Sequence, residues 1–240
     1  MYANKRILAV VPARGGSKGI PLKNLRKVGG VSLVGLACQI ARSVPYIDRT
    51  VVSTDNADIA REAQAHGADA PFRRPSDISG DRIGDVDVLT HALLATEADD
   101  GKRYDIVVML QPTSPLRKIE HVTAVVEKLV DQAFDSVWTV SETDSKAHPL
   151  KQLVLADEKL DYYDPAGAQV LARQQLDPVY HRNGIAYAIT RACLLAQKNL
   201  LGSRTGAVVL EGHFVSIDTE WDMRMIEFII AECKKATTAS

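Results

Sequence analysis

Ile7-Leu-Ala-Val-Val11 is a continuous apolar run ending at Pro12, after which the chain reads Ala13-Arg-Gly-Gly-Ser-Lys-Gly-Ile-Pro-Leu-Lys-Asn24. An unbroken apolar run of this length predicts a parallel strand buried on both faces. The glycines beyond it let backbone N–H groups approach an anion, and Arg14, Lys18 and Lys23 add countercharge for more than one phosphate. Together they predict a polyphosphate site at the end of the first strand of an α/β sheet; a solvated basic turn is the plainer alternative. The spacing is neither Gly-x4-Gly-Lys-Ser/Thr nor Gly-x-Gly-x-x-Gly, which demotes both a Walker loop and a dinucleotide fingerprint. Asp55 stands too far beyond Gly19 to act as the ribose-binding acid of the dinucleotide fold.

Outward from this stretch, strand and helix patterns alternate. Ser32 to Val44 has helical spacing, Thr50 to Thr54 is a strand, and Asn56 to His66 is a helix closed by Gly67. Asp85 to Ala98 reads as a helix, Asp105 to Leu110 as a buried strand, Ile119 to Val130 as a helix and Ser136 to Val140 as a strand. Further strands are expected at Gly184 to Ile189, Val208 to Glu211 and Phe214 to Asp218, then a helix from Glu220 to about Lys235. The alternation predicts a Rossmann-like, mostly parallel sheet with helices on both faces. Between His148 and Val179 neither period is clean, so about 148–180 reads as an inserted hairpin arm or small subdomain. No repeat, low-complexity tract or flexible linker divides the rest, and residues 1–240 read as one domain carrying that insertion.

Composition narrows the function classes. The 240 residues are 46% apolar and 25% charged, which fits a globular chain able to bury a full core. Lys plus Arg number 29 against 30 acids, a balance that argues against broad binding to nucleic acid or to a membrane surface. No stretch approaches the roughly 20 apolar residues of a membrane span. Lys5-Arg6 before the first apolar run imitates a secretory signal, but cations follow where a small-residue cleavage site belongs. Cys38, Cys193 and Cys233 are dispersed, without CxxC spacing, and read as reduced packing residues of a cytoplasmic protein. The six histidines are scattered, and none adjoins a nucleophile elbow.

The run PARGGSKGIPLKN (12–24) resembles the signature of the acylneuraminate cytidylyltransferases, the CMP-sialic acid synthetase-like enzymes that activate nine-carbon sugar acids. Further matches follow in the family's order: VSTD (52–55), Arg74-Pro75, LQPTSPLR (110–117), HPLK (148–151), RNG (182–184) and SIDTEWD (216–222). They span nearly the whole chain. The resemblance implies a sheet of the nucleotide-diphospho-sugar transferase type, transfer of CMP from CTP to a sugar acid with release of pyrophosphate, Mg²⁺ as cofactor, and a homodimer. The same transfer to another acceptor (a legionaminic- or pseudaminic-type acid, an eight-carbon acid or a phosphonate) stays open, as does a weakened CTP-binding module.

By resemblance, Arg14, Gly15, Gly16, Ser17, Lys18 and Lys23 embrace the triphosphate, while Asn24 and Arg74 hold the nucleoside. Arg14, Lys23 and Asp218 carry the chemistry. For Arg74 the alternative is a staple for its own loop. Gln111, Thr113, Ser114 and Asn183 face the sugar acid; for Thr113 and Ser114 the alternative is a cap for the following helix. Lys151 and Arg173 on the arm would receive the acid's carboxylate in the neighbouring protomer's pocket, or remain solvated. Asp218 holds the metal or caps the last helix. Many relatives carry a second aspartate where this chain has Ser216, which leaves Asp222 as a possible substitute. Where sialate-activating relatives often have Arg-Pro, this chain has His181-Arg182.

Overall fold

The apolar run at the amino end forms β1 (Ile7–Pro12), in which Ile7 to Val11 are wholly buried. The computed structural model describes residues 1–238, apart from the side chains of residues 234 and 236–238. A small hairpin of β2 (Lys27–Val28) and β3 (Val31–Ser32) follows, then α1 (Leu33–Ser43), β4 (Arg49–Ser53) and α2 (Ala57–Ala65). Next come α3 (Asp85–Asp100), β5 (Ile106–Met109), α4 (Ile119–Asp131) and β6 (Ser136–Glu142). A hairpin of β7 (Leu153–Ala156) and β8 (Lys159–Tyr162) precedes β9 (Tyr180–Thr190), α5 (Arg191–Leu195), β10 (Thr205–Val209) and α6 (Glu220–Thr238). No helix among the described residues is long and apolar enough to cross a membrane.

Local chemistry sets the helix ends. Ser32 Oγ accepts from the Gly35 amide at 3.0 Å, and Asn56 Oδ1 accepts from the Asp58 and Ile59 amides at 2.8 and 3.1 Å. Such caps contribute about 1 kcal/mol each. Gly101 stops α3 at φ 67°, a left-handed conformation that only glycine adopts without steric cost.

Six strands form one sheet in the order β10-β6-β9-β5-β1-β4. β1 pairs in parallel with β4 and β5, β10 pairs in parallel with β6, and β9 runs antiparallel between β5 and β6. The sheet is therefore mostly parallel, as expected. Along β1 the side chains alternate: Ile7, Ala9 and Val11 join the core under α1, α2 and α4, whereas Leu8 and Val10 join the one under α3 and α5. Burial on both faces is why the run is apolar without a gap. From β1 the chain moves to β4 on one side and returns to β5 on the other, so the order reverses between β1 and β5. In open α/β sheets the crevice at such a reversal, beyond the carboxyl ends of the strands, is where ligands bind.

A third, smaller core sits over that edge. Ile20, Val28, Leu33, Ile217, Met223 and Ile226 pack together and press α6 onto the glycine-rich loop. Each large aliphatic chain buried there contributes about 1.5–3 kcal/mol.

The strand expected at Phe214 to Asp218 does not form; the segment is irregular and belongs to none of the three sheets. It crosses the carboxyl edge instead of lining up along a strand, held by the Ile217 amide donating to the Thr113 carbonyl at 2.9 Å. Ile217 is buried in the third core, and Phe214 and Val215 are half-buried against two cores, all without ladder pairing; an apolar pattern reports only the burial. The expected strand at Gly184 to Ile189 extends to Tyr180–Thr190. Within the irregular stretch β7 and β8 form a two-stranded sheet of their own, with Leu155 72% and Leu160 64% exposed.

Candidate active site

A cleft of about 510 Å³ opens at the reversal point, between the loop after β1, the segment leading into α3 and the turn after β5. Its floor is fixed by backbone geometry. Asn24 Nδ2 donates to the Arg14 carbonyl at 2.9 Å, and the Gly15 amide donates to Asp55 Oδ1 at 2.8 Å. Asn24 is buried and Gly15 is engaged, so both shape the loop; Gly16 has open space beside its α-carbon. A Cβ on Gly19 would meet the Asp218 carbonyl at 2.5 Å, so only glycine lets the loop lie against that backbone.

Arg14, Ser17, Lys18 and Lys23 all line the cleft. Arg14 and Lys18 both pair with Asp81, which holds that carboxyl below the ordinary carboxylate range, the Lys18 hydrogen bond being the larger cause. Lys23 is fixed: its Nζ donates to the Ile217 carbonyl at 2.6 Å and to Asp218 Oδ1 at 2.9 Å. Its side chain is 14% exposed, against 76% for Asp218.

Arg74 lines the cleft but also staples β4, its Nε donating to Ser53 Oγ at 3.0 Å and its terminal nitrogen to the Ser53 carbonyl. Burial pushes its guanidinium down to about 10. Gln111 and Thr113 reach the cleft, whereas Ser114 is buried and donates to the Asn183 carbonyl at 3.0 Å. Asn183 faces inward as well: its Oδ1 accepts from Thr139 at 2.7 Å and its Nδ2 donates to Ser141 at 3.1 Å. Ser114 and Asn183 thus brace the wall behind Gln111. Lys151 is exposed on the arm, and Arg173 lines a separate hollow with Glu142, Asp144 and His148. Neither reaches the cleft of its own chain.

At the last helix, capping and the acidic site divide between residues. Thr219 Oγ1 accepts from the Asp222 amide at 3.2 Å, and Asp222 Oδ2 accepts from the Thr219 and Asp218 amides at 2.7 and 2.9 Å. This reciprocal cap engages Asp222 and leaves Asp218 facing the cleft. Among the described residues no cluster of three acidic, His or Cys side chains could hold a metal by itself. A lone open carboxylate suits Mg²⁺, which takes one or two carboxylates and fills its shell with phosphate oxygens and water.

Three residues escaped the sequence reading. Arg117, in the LQPTSPLR run, is buried and donates to the carbonyls of Ile185, Gln111 (2.7 Å) and Gly184 (3.1 Å). It ties the Gln111 turn to β9, and burial pushes its guanidinium down to about 9. Asp81 and Asp85 both line the cleft. Burial raises the Asp85 carboxyl against the opposing charges of Arg182 and Arg74. Arginine inside a quoted motif was a usable signal; two aspartates in a polar loop gave none.

The model of the cytidylyltransferase family matches residues 8–235. The chain belongs to that family. This cytidylyltransferase is 30% identical over 233 residues to the CMP-N,N'-diacetyllegionaminic acid synthase of Legionella pneumophila, covering 92% of this chain and 95% of that one. It is 32% identical over 230 residues to the N-acylneuraminate cytidylyltransferase of Oncorhynchus mykiss, covering 93% of this chain and 50% of that one. Its fold is that of a CMP:2-keto-3-deoxy-manno-octonic acid synthetase solved with CTP, at TM-score 0.69 and 20% identity over 95% of this chain and 99% of the other.

Proposed function

We propose that this cytidylyltransferase moves CMP from CTP to the 2-hydroxyl of an α-keto sugar acid, releasing pyrophosphate. The observation that carries the reading is the cleft at the reversal point, where Arg14, Lys18 and Lys23 lie on one side and Gln111 and Thr113 on the other. The acceptor oxygen bonds to the α-phosphorus as the bond from that phosphorus to the bridging oxygen breaks, and the hydroxyl proton passes to water. Such a transfer depends on alignment and on neutralising the charge that gathers on the departing diphosphate.

Arg14 and Lys18 bind the outer phosphates once Asp81 lets them go. Lys23, fixed between Ile217 and Asp218, meets the bond that breaks. Asn24 keeps the loop in shape, and Gln111 orients the acceptor from a turn that Arg117 holds still. Mg²⁺, held by Asp218 with phosphate oxygens and water, would supply charge stabilisation at the phosphates. Two chains pair through the exposed arm at about 148–180, and Lys151 and Arg173 serve the partner's cleft. The buried, unpaired Cys38 and Cys193 fit a reducing cytoplasm.

Similarity to both sialic- and legionaminic-acid enzymes supports a nine-carbon acid without choosing between them. A pyrophosphate-release assay crossing CTP, UTP, ATP and GTP with neuraminic, legionaminic, pseudaminic and eight-carbon acids tests the reading. Release should require CTP and one acid of this class; equal release with purine nucleotides, or none with any acid, would refute it.

A further inference from the structure

The acceptor brings a carboxylate that needs a cation, and the cations lining the cleft already have partners. Arg14 and Lys18 pair with Asp81, Lys23 with Asp218, and Arg74 is fastened to Ser53. Arg182 has none. Among the described residues nothing accepts from its guanidinium, which lies over the Trp138 ring at 5.4 Å from the centroid. That ring is itself held, its Nε1 donating to the Leu200 carbonyl at 3.2 Å and its centroid 5.1 Å from that of the tilted Tyr187 ring. A guanidinium held over an indole by a cation–π contact keeps its N–H groups unspent, and those groups can grip a carboxylate through two parallel hydrogen bonds.

Its place in the fold puts it beside the acceptor. β9 is antiparallel to its neighbours, so its first residues lie at the carboxyl edge of the sheet, where Arg182 stands opposite Val140. Gly184, two residues on, packs so closely on Gln111 that an added Cβ would lie 2.8 Å from Gln111 Oε1. β9 bulges at Gly184, whose φ is 72°, and two residues of chain span at most about 7 Å, within the reach of a sugar acid anchored at Gln111. Asn183 turns inward to Thr139 and Ser141, so Arg182 takes the opposite face, the one bearing Trp138. Asp85 lines the cleft nearby and has no hydrogen-bond or ion-pair partner among the described residues, leaving an acceptor for a hydroxyl or amide N–H.

We infer that Arg182, seated on Trp138, binds the carboxylate of the acceptor within the same chain and helps to set acceptor specificity. This rests on the sugar-acid reading above and goes further by naming the residue. It also gives a role to the His181-Arg182 pair that departs from the Arg-Pro common in sialate-activating relatives.

Steady-state kinetics at saturating CTP tests it on wild type, Arg182→Ala and Arg182→Lys, with the acceptor and its carboxyl methyl ester. Arg182→Ala should raise the acceptor KM about 10–100-fold, leave the KM for CTP within about twofold, and erase the preference for acid over ester. Arg182→Lys should recover part of the loss, since one ammonium replaces a two-pronged grip. Unchanged melting of the exposed Arg182→Ala variant should exclude unfolding as the cause. An acceptor KM within about twofold of wild type, or a retained preference for the acid, overturns the inference while the sugar-acid reading stands. Wild type that turns over no sugar acid at all overturns both.

Discussion

The glycine-rich loop and the arm are opposites. Residues 12–24 are locked by Asn24, Asp55, Lys23 and the third core, and their cations have partners in their own chain. The arm exposes Leu155, Leu160, Tyr163 and Leu171, and its cations Lys151 and Arg173 do not reach the cleft at the glycine-rich loop of their own chain. Apolar side chains left in water on a two-stranded hairpin are a face awaiting a surface. On the function proposed above, one chain builds the nucleotide half of the site, and the arm is offered to a neighbour.

The largest expected effect probes both regions together. Lys23→Ala should lower turnover about 10²–10³-fold, the cost of one preorganised donor, and Arg173→Ala should also impair it. If arms serve neighbouring clefts, mixing the two inactive variants should restore about a quarter of wild-type activity, since half the dimers are mixed and each has one intact site. No recovery on mixing under conditions that exchange subunits would place both residues in one chain's site and break the contrast. A pyrophosphate-release assay reads both results.

Leu155→Glu with Leu160→Glu sharpens it further. Charges on the exposed face should halve the mass measured by light scattering and reduce acceptor turnover, with CTP binding within about twofold of wild type. A variant that stays dimeric would move the interface away from the arm.

The smallest effect concerns the loop alone. Asp81→Asn frees Arg14 and Lys18, and CTP affinity should rise about two- to fivefold by calorimetry, the scale of exposed ion pairs. The two cations hold the Asp81 carboxyl below its ordinary range, so the competition persists at neutral pH and fades only as acid protonates it. Weaker CTP binding in this variant would make Asp81 a support for the loop, not a rival of the phosphates.

How far the sequence reached follows from the kind of interaction involved. Ile7 to Val11 announced a doubly buried strand because every residue there had to be apolar, and the glycines and cations beyond it announced an anion loop because both are local needs. Ser114 and Asn183 read as ligand contacts from their motifs, yet each hydroxyl or amide is bound inside the wall, on partners up to 69 residues away. Phe214 to Asp218 read as a strand because an apolar pattern reports burial, and here Ile217 is buried and Phe214 and Val215 half-buried without a ladder. Asp81 had no local signal: its role exists only where the loop before α3 folds back over Arg14 and Lys18.

By itself the sequence determined the α/β class, the first strand, the glycine-rich loop with its cations and the family signature. Each depends on side-chain period or on chemistry within about a dozen neighbouring residues. The tertiary structure alone decided which cations are paired, that Asp218 meets Lys23 at the cleft, and that Arg182 lies over Trp138. Those facts depend on the strand order and on β9 running against its neighbours, which bring together groups dozens of residues apart. Sequence spacing carries no record of such meetings, because a hydrogen bond or ion pair is set by distance in space.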